Sequence, residues 1–118
     1  MAHNNLGTAY GPIDSDKAIS HYKTALKIYP EFAMAYYNLG TIFEQKGYTE
    51  KAIKYYLKAL QFIPDYYNAL NNLGISFFNK GDYEQSVLYF KKALKKASNT
   101  NARMNLANVL FFLSKPDE

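Results

Sequence analysis

One short string recurs along the chain at a nearly constant interval. Asn5-Leu6-Gly7, Asn38-Leu39-Gly40 and Asn72-Leu73-Gly74 are followed by Asn105-Leu106-Ala107, at spacings of 33, 34 and 33 residues. Ala25-Leu26, Ala59-Leu60 and Ala93-Leu94 recur at 34 and 34. A period of this length is the mark of stacked supersecondary units, none of which buries its apolar face alone.

The unit is clearest from Ala33 to Tyr66. Tyr36, Leu39 and Phe43 fall at i, i+3, i+7, on one face of a first helix. Gly47 interrupts the pattern. Ala52, Tyr56 and Ala59 fall at i, i+4, i+7 on a second helix, which Pro64 stops. Small residues at Gly40, Ala52 and Ala59 predict close approach of the two helices. The outcome is a helical hairpin with a leftover apolar edge, which needs a neighbour.

These residues resemble the tetratricopeptide repeat (TPR) family, whose pattern runs: large residue, Leu-Gly, aromatic, Gly-x-Tyr, Ala, aromatic, Ala, Pro. The central repeat matches at Tyr36, Leu39, Gly40, Phe43, Gly47, Ala52, Tyr56, Ala59 and Pro64. It departs at Thr49, where the pattern has Tyr and where the adjacent Tyr48 is expected to compensate. The next repeat matches at Leu70, Leu73, Gly74, Phe77, Gly81, Tyr83, Phe90 and Ala93, with Ser86 for Ala and Ser98 for Pro. The first matches at Leu6, Gly7, Tyr10, Ala18, Tyr22, Ala25 and Pro30. The resemblance implies an all-α, right-handed solenoid forming a single domain over residues 1–118. Its repeats are expected at about 1–32, 33–66 and 67–100, with a seventh helix over 101–113. The implied function is binding of another protein or a peptide segment.

In that family the first helices line an inner, concave wall. Carried across, its peptide-binding residues are Asn5, Thr8, Tyr37, Asn38, Thr41, Gln45, Asn68, Asn71, Asn72, Ile75, Asn105 and Asn108. This wall is neutral. TPR clamps that grip a terminal carboxylate place Lys and Arg at positions occupied here by Asn4, Thr8, Asn68 and Asn72; only Asn38 fits that pattern. Asn5, Asn38, Asn72 and Asn105 instead form a ladder of amides, each able to donate and to accept. With helices about 8–10 Å apart and an extended chain rising about 3.3 Å per residue, a rung meets about every third peptide unit. The ladder is similar to that in the TPR arrays of O-linked N-acetylglucosamine transferases. The second use of such an Asn is to bridge neighbouring helices. A substrate-recognition segment of a larger enzyme, such as a glycosyltransferase, is therefore an alternative to a free-standing scaffold.

Composition narrows the remaining classes. There is no Cys, so no disulfide or thiolate metal site is possible. Met1-Ala2-His3 leads straight into a repeat without a signal-peptide pattern. No apolar run approaches the roughly 20 residues of a membrane helix, and a cytoplasmic location is expected, with the nucleus compatible. His3 and His21 have no metal-ligand spacing and the Gly residues form no phosphate loop; no enzyme activity, metal or cofactor is expected. Of 14 Lys and Arg, ten sit on the second helices: Lys17, Lys23, Lys27, Lys51, Lys54, Lys58, Lys91, Lys92, Lys95 and Lys96. An RNA-binding outer wall is one reading. A solvated face is the preferred one, because the sequence shows no aromatic platform interleaved with these lysines, and nucleic acid is an unlikely partner.

The ends do not read as caps. Gly11-Pro12 ends the first helix early, with Ser15 or Asp16 as the cap of the next. At the other end Val109, Leu110, Phe111, Phe112 and Leu113 occupy five consecutive places and must point all round a helix. The chain is expected to be a segment of a longer array, and Phe111 and Phe112 are expected to support self-association into a homo-oligomer.

Overall fold

A computed structural model describes residues 15–96 and 100–114, all helical apart from short turns. The chain forms two compact units, Met1–Pro64 and Asp65–Glu118. The first holds α1 (Ser15–Ile28), α2 (Ala33–Gln45) and α3 (Thr49–Phe62). The second holds α4 (Tyr67–Lys80), α5 (Tyr83–Lys96) and α6 (Thr100–Ser114). Within the first unit α2 packs on α1 and on α3; within the second α5 packs on α4 and on α6, and α4 touches α6. The first predicted helix lies outside the described residues. Helix α1 begins at Ser15 with Asp16 in its first turn, so the expected caps are already helical and the capping position falls outside the described residues.

The second helices bury the stripe that their i, i+4, i+7 spacing dictates. Ala18, Tyr22 and Ala25 on α1, Ala52, Tyr56 and Ala59 on α3, and Ser86, Phe90 and Ala93 on α5 are all buried. The aromatic at the centre of each stripe is among the largest fully enclosed side chains. Opposite Tyr56 and Phe90 stands glycine. A Cβ on Gly40 would lie 2.6 Å from Cε1 and 2.7 Å from Cδ1 of Tyr56; on Gly74 it would lie 2.5 Å and 2.6 Å from the same atoms of Phe90. The glycines thus admit a ring from the second helix, a partner that the sequence pattern did not name. Leu39 and Leu73, beside the glycines, are fully buried as well.

The turn inside each hairpin is set by a second glycine. Gly47 (φ 86°) and Gly81 (φ 94°) occupy the left-handed region that ends a helix without a Cβ clash. In both turns the amide after the glycine donates five residues back and the glycine amide three back. These bonds are Tyr48 N to Phe43 O (2.8 Å) with Gly47 N to Glu44 O (3.0 Å), and Asp82 N to Phe77 O (2.9 Å) with Gly81 N to Phe78 O (3.0 Å). This is the Schellman arrangement, and its apolar contact forms between Tyr48 and Phe43, with ring centroids 6.2 Å apart. Tyr48 therefore closes its own turn. It does not take the place of Tyr83, which lies against Phe78 (5.2 Å) and Phe112 (4.9 Å). Asp82 in turn caps α5, its Oδ1 accepting from Gln85 N at 3.3 Å.

Ser86, where the repeat pattern has Ala, is fully buried and donates from Oγ to Gly74 O at 2.7 Å. The hydroxyl is thereby satisfied within the hairpin.

Gly40→Ala and Gly74→Ala should each lower stability by about 1–3 kcal/mol, because the enclosed ring must leave its seat. Gly47→Ala, where nothing lies near the added Cβ, should cost about 1 kcal/mol through backbone strain alone. Urea denaturation of the three variants checks the order. Equal stability of Gly40→Ala and the parent would contradict the ring-on-glycine contact.

Candidate peptide-binding faces

Helix α2 carries the expected site residues of the first unit at helical spacing. Tyr37, Asn38 and Thr41 are half-buried and Gln45 is exposed. Tyr37 leans on the Tyr56 ring, centroids 5.8 Å apart. Thr41 Oγ1 donates back to Asn38 O at 2.8 Å. Glu44, on the same face, accepts from the Tyr56 hydroxyl through Oε1 at 2.6 Å. The enclosed Tyr56 ring thus fixes one carboxylate at the edge of this face. Met34 adds an apolar contact point that is 45% exposed. Asn5 and Thr8 lie outside the described residues.

In the second unit two helices contribute. Asn68 is exposed, and Asn71, Asn72 and Ile75 are half-buried on α4; Asn105 is half-buried and Asn108 exposed on α6. The geometry joins two of them: Asn105 Nδ2 donates to Asn71 Oδ1 at 2.8 Å. The ladder residue of α6 is therefore committed in part to bridging its neighbouring helix. It keeps a second N–H and its own oxygen for other partners. Each of these side chains is uncharged, so the face offers amides and apolar surface to a ligand and no counter-ion.

The end of α6 is split in character. Val109 is buried, and Phe112 packs against Phe78 (5.3 Å) and Tyr83 (4.9 Å). Leu110, Phe111 and Leu113 are 45%, 66% and 47% exposed. The two phenylalanines grouped by sequence thus differ: Phe112 is half a core residue and Phe111 an outward one.

The lysine-rich faces hold what sequence reasoning missed. Lys51 Nζ sits 5.0 Å from the Phe43 ring centroid, Lys92 5.1 Å from Tyr89 and Lys80 6.0 Å from Phe77. Phe43 belongs to the partner helix of its hairpin, so the linear sequence does not show it beside Lys51; Tyr89 and Phe77 stand three residues before their lysines on the same helix. The expectation that no aromatics interleave with the lysines is corrected. The available signal was Tyr55, which stands between Lys54 and Lys58. No helix among the described residues is long and apolar enough to cross a membrane.

A tetratricopeptide repeat profile matches residues 31–99, and a second TPR profile matches residues 14–47. The chain belongs to the tetratricopeptide repeat family. No curated protein is matched by sequence at a significant level. Among solved TPR structures, the first TPR domain of Spaghetti (RPAP3) bound to the HSP90 peptide SRMEEVD has a TM-score of 0.89 at 17% identity, covering 97% of this chain and 92% of that one. The Sgt2 TPR domain from Aspergillus fumigatus has a TM-score of 0.88 at 22% identity, covering 99% and 84%. MamA is more similar in sequence, at 35% identity with a TM-score of 0.77, over 82% of this chain and 57% of MamA. The first two likenesses show the all-α TPR fold.

Of the asparagines before Leu-Gly or Leu-Ala, Asn105 has a bridging role. A double-mutant cycle of Asn71→Ala and Asn105→Ala should give a coupling of about 0.5–1.5 kcal/mol in unfolding free energy, the worth of one neutral hydrogen bond. Coupling near zero would mean that the amides meet water instead.

Proposed function

We propose that this TPR chain is a protein-interaction module that holds an extended segment of another protein on the exposed faces of its first helices, through peptide-backbone recognition. The observation that carries this reading is the uncharged amide cluster of α4 and α6. Asn68 and Asn108 are exposed, and Asn71 and Asn105 are oriented by their mutual bond. An amide on a fixed mount recognises C=O and N–H of any residue, which suits a binder of main chain more than of particular side chains. The TPR domain seen with the HSP90 peptide supports a peptide ligand in kind. The candidate site residues here include no cation, and Glu44 sets a carboxylate at the edge of the α2 face, which favours a segment that is not gripped by its terminal carboxylate. Binding, and no catalysis, is the activity assigned.

Screening the full chain against N-acetylated, C-amidated twelve-residue peptides tests this, with hits measured by calorimetry. Asn38→Ala combined with Asn72→Ala should weaken a hit by about five- to a hundredfold, the loss of two neutral hydrogen bonds of about 0.5–1.5 kcal/mol each. Helicity should be retained. Unchanged affinity, or binding seen only when the same peptides are supplied with a free terminal carboxylate, would overturn the proposal.

A second reading concerns α6. The exposed Leu110, Phe111 and Leu113 form apolar surface of the kind that marks association, and we propose that it pairs copies of the chain. Phe111→Glu should abolish concentration-dependent self-association in sedimentation without lowering the melting temperature. Phe112 is unsuitable for this test, because its ring packs on Phe78 and Tyr83. A parent chain that sediments as a monomer at all concentrations would refute it.

A further inference from the structure

A pocket of about 210 Å³ opens on the α2–α3 hairpin, lined by Tyr36, Lys51, Lys54, Tyr55 and Lys58. Its two lining tyrosines belong to a column of rings. Phe43 and Tyr55 stack at 5.4 Å and 5°, Tyr55 and Tyr36 at 6.4 Å and 28°, and Tyr36 and Phe62 at 5.9 Å and 15°. The Tyr36 hydroxyl is tied down as a donor to Pro30 O at 3.2 Å. Lys51 rests over Phe43, and neither Lys54 nor Lys58 has an ion pair among the described residues.

The repeat provides its own control. Thirty-four residues on, the α4–α5 hairpin keeps the ring stack, Phe77 on Tyr89 at 5.6 Å, and a lysine over it, Lys92. At the places of Tyr36, Lys51 and Lys54, however, it carries Leu70, Gln85 and Leu88. A stable TPR hairpin thus does not need the two additional lysines or the additional tyrosine. Tyr36 is held by its ring stack and its bond to Pro30 O; the convergence of Lys51 and Lys54 on the pocket beside it is what the hairpin plan does not ask for.

We propose that this pocket is a second docking site, which takes an extended acidic segment of a partner protein with Asp or Glu at every second residue. The charge is complementary and the spacing fits. Along α3 the rise of about 1.5 Å per residue sets Lys51 and Lys54 about 4.5 Å apart and Lys54 and Lys58 about 6 Å apart. Alternate side chains of an extended segment lie about 6.6 Å apart on one side. Nucleic acid is disfavoured because the rings are stacked on one another, which spends the faces on which bases would lie. The site uses α3 and the Tyr36 side of α2, so it is independent of the Asn38 face.

The test is an NMR titration of the full chain with a blocked peptide of alternating Glu and Ser, four of each. Amide shifts should concentrate in residues 49–62 and affinity should fall as salt rises from about 50 mM to about 300 mM. Tyr36→Leu with Lys51→Gln and Lys54→Leu installs the residues of the other hairpin. It should keep the melting temperature and weaken binding about tenfold or more. Should that variant unfold, Lys54→Gln with Lys58→Gln, both exposed, should give the same loss. The control Lys91→Glu with Lys95→Glu on α5 should leave affinity for the peptide within about twofold. Three outcomes would overturn the proposal: equal binding by the α3 variants, an equal loss in the α5 control, or tighter binding of an eight-nucleotide oligouridine at the same residues.

Discussion

The hairpins depend on one contact, an aromatic ring of the second helix laid where the first helix has no side chain. Tyr56 over Gly40 and Phe90 over Gly74 are equivalent in sequence and in space. A ring buries more apolar area than any aliphatic side chain, and a glycine lets it approach the backbone of the facing helix. The helix carrying the glycine gives up intrinsic stability for it, about 1 kcal/mol relative to alanine. That loss is recovered through the ring, which is why Leu-Gly recurs where a helix former would otherwise stand. Everything further out is placed by this contact. The Tyr56 hydroxyl emerges from the core to hold Glu44, and the Tyr56 ring flank supports Tyr37.

How much of this is legible without coordinates depends on whether the physics is local. Helix periodicity, Gly47, Gly81 and Pro64 act on their own neighbourhood, and helices α1 to α6 appear where the pattern puts them. The glycine contact is half local: the sequence shows that something must come close at Gly40 and Gly74, and not that it is a ring. Tyr48 illustrates the limit. Sequence logic asks it to stand in for the tyrosine missing at Thr49. The backbone turn instead points it at Phe43, because the residue after a left-handed glycine faces the last turn of the helix it leaves.

The candidate binding faces are less legible, since their chemistry is decided between helices. Four asparagines at one repeat position look alike in sequence. That Asn105 meets Asn71, arriving opposite it from α4, is decided by the packing of the two helices. Phe111 and Phe112 are likewise neighbours in the chain and strangers in environment, separated by the turn of 100° that each helical residue makes. The lysines misled for the same reason. The Phe43 ring of α2 lies beneath Lys51 of α3, and no scan along α3 alone finds it.

Internal repetition offers a way to separate folding from function within this one chain. Two hairpins built on one plan must share what the plan demands. They do share the glycine, the ring, the turn glycine, and the stacked pair Phe43–Tyr55 or Phe77–Tyr89 with a cation nearby. Whatever differs is free of that demand. By this criterion Ser86 is a local solution, because its hydroxyl is returned to the Gly74 carbonyl inside the same hairpin. Tyr36 is in part a local solution too, through its ring stack and its bond to Pro30 O; Lys54 is not, because it has no ion pair among the described residues and faces the same opening as Lys51 and Lys58. Clustered cations held in the folded state repel one another and gain nothing from each other's company. An arrangement that the fold neither needs nor gains from is best explained by a ligand of opposite charge.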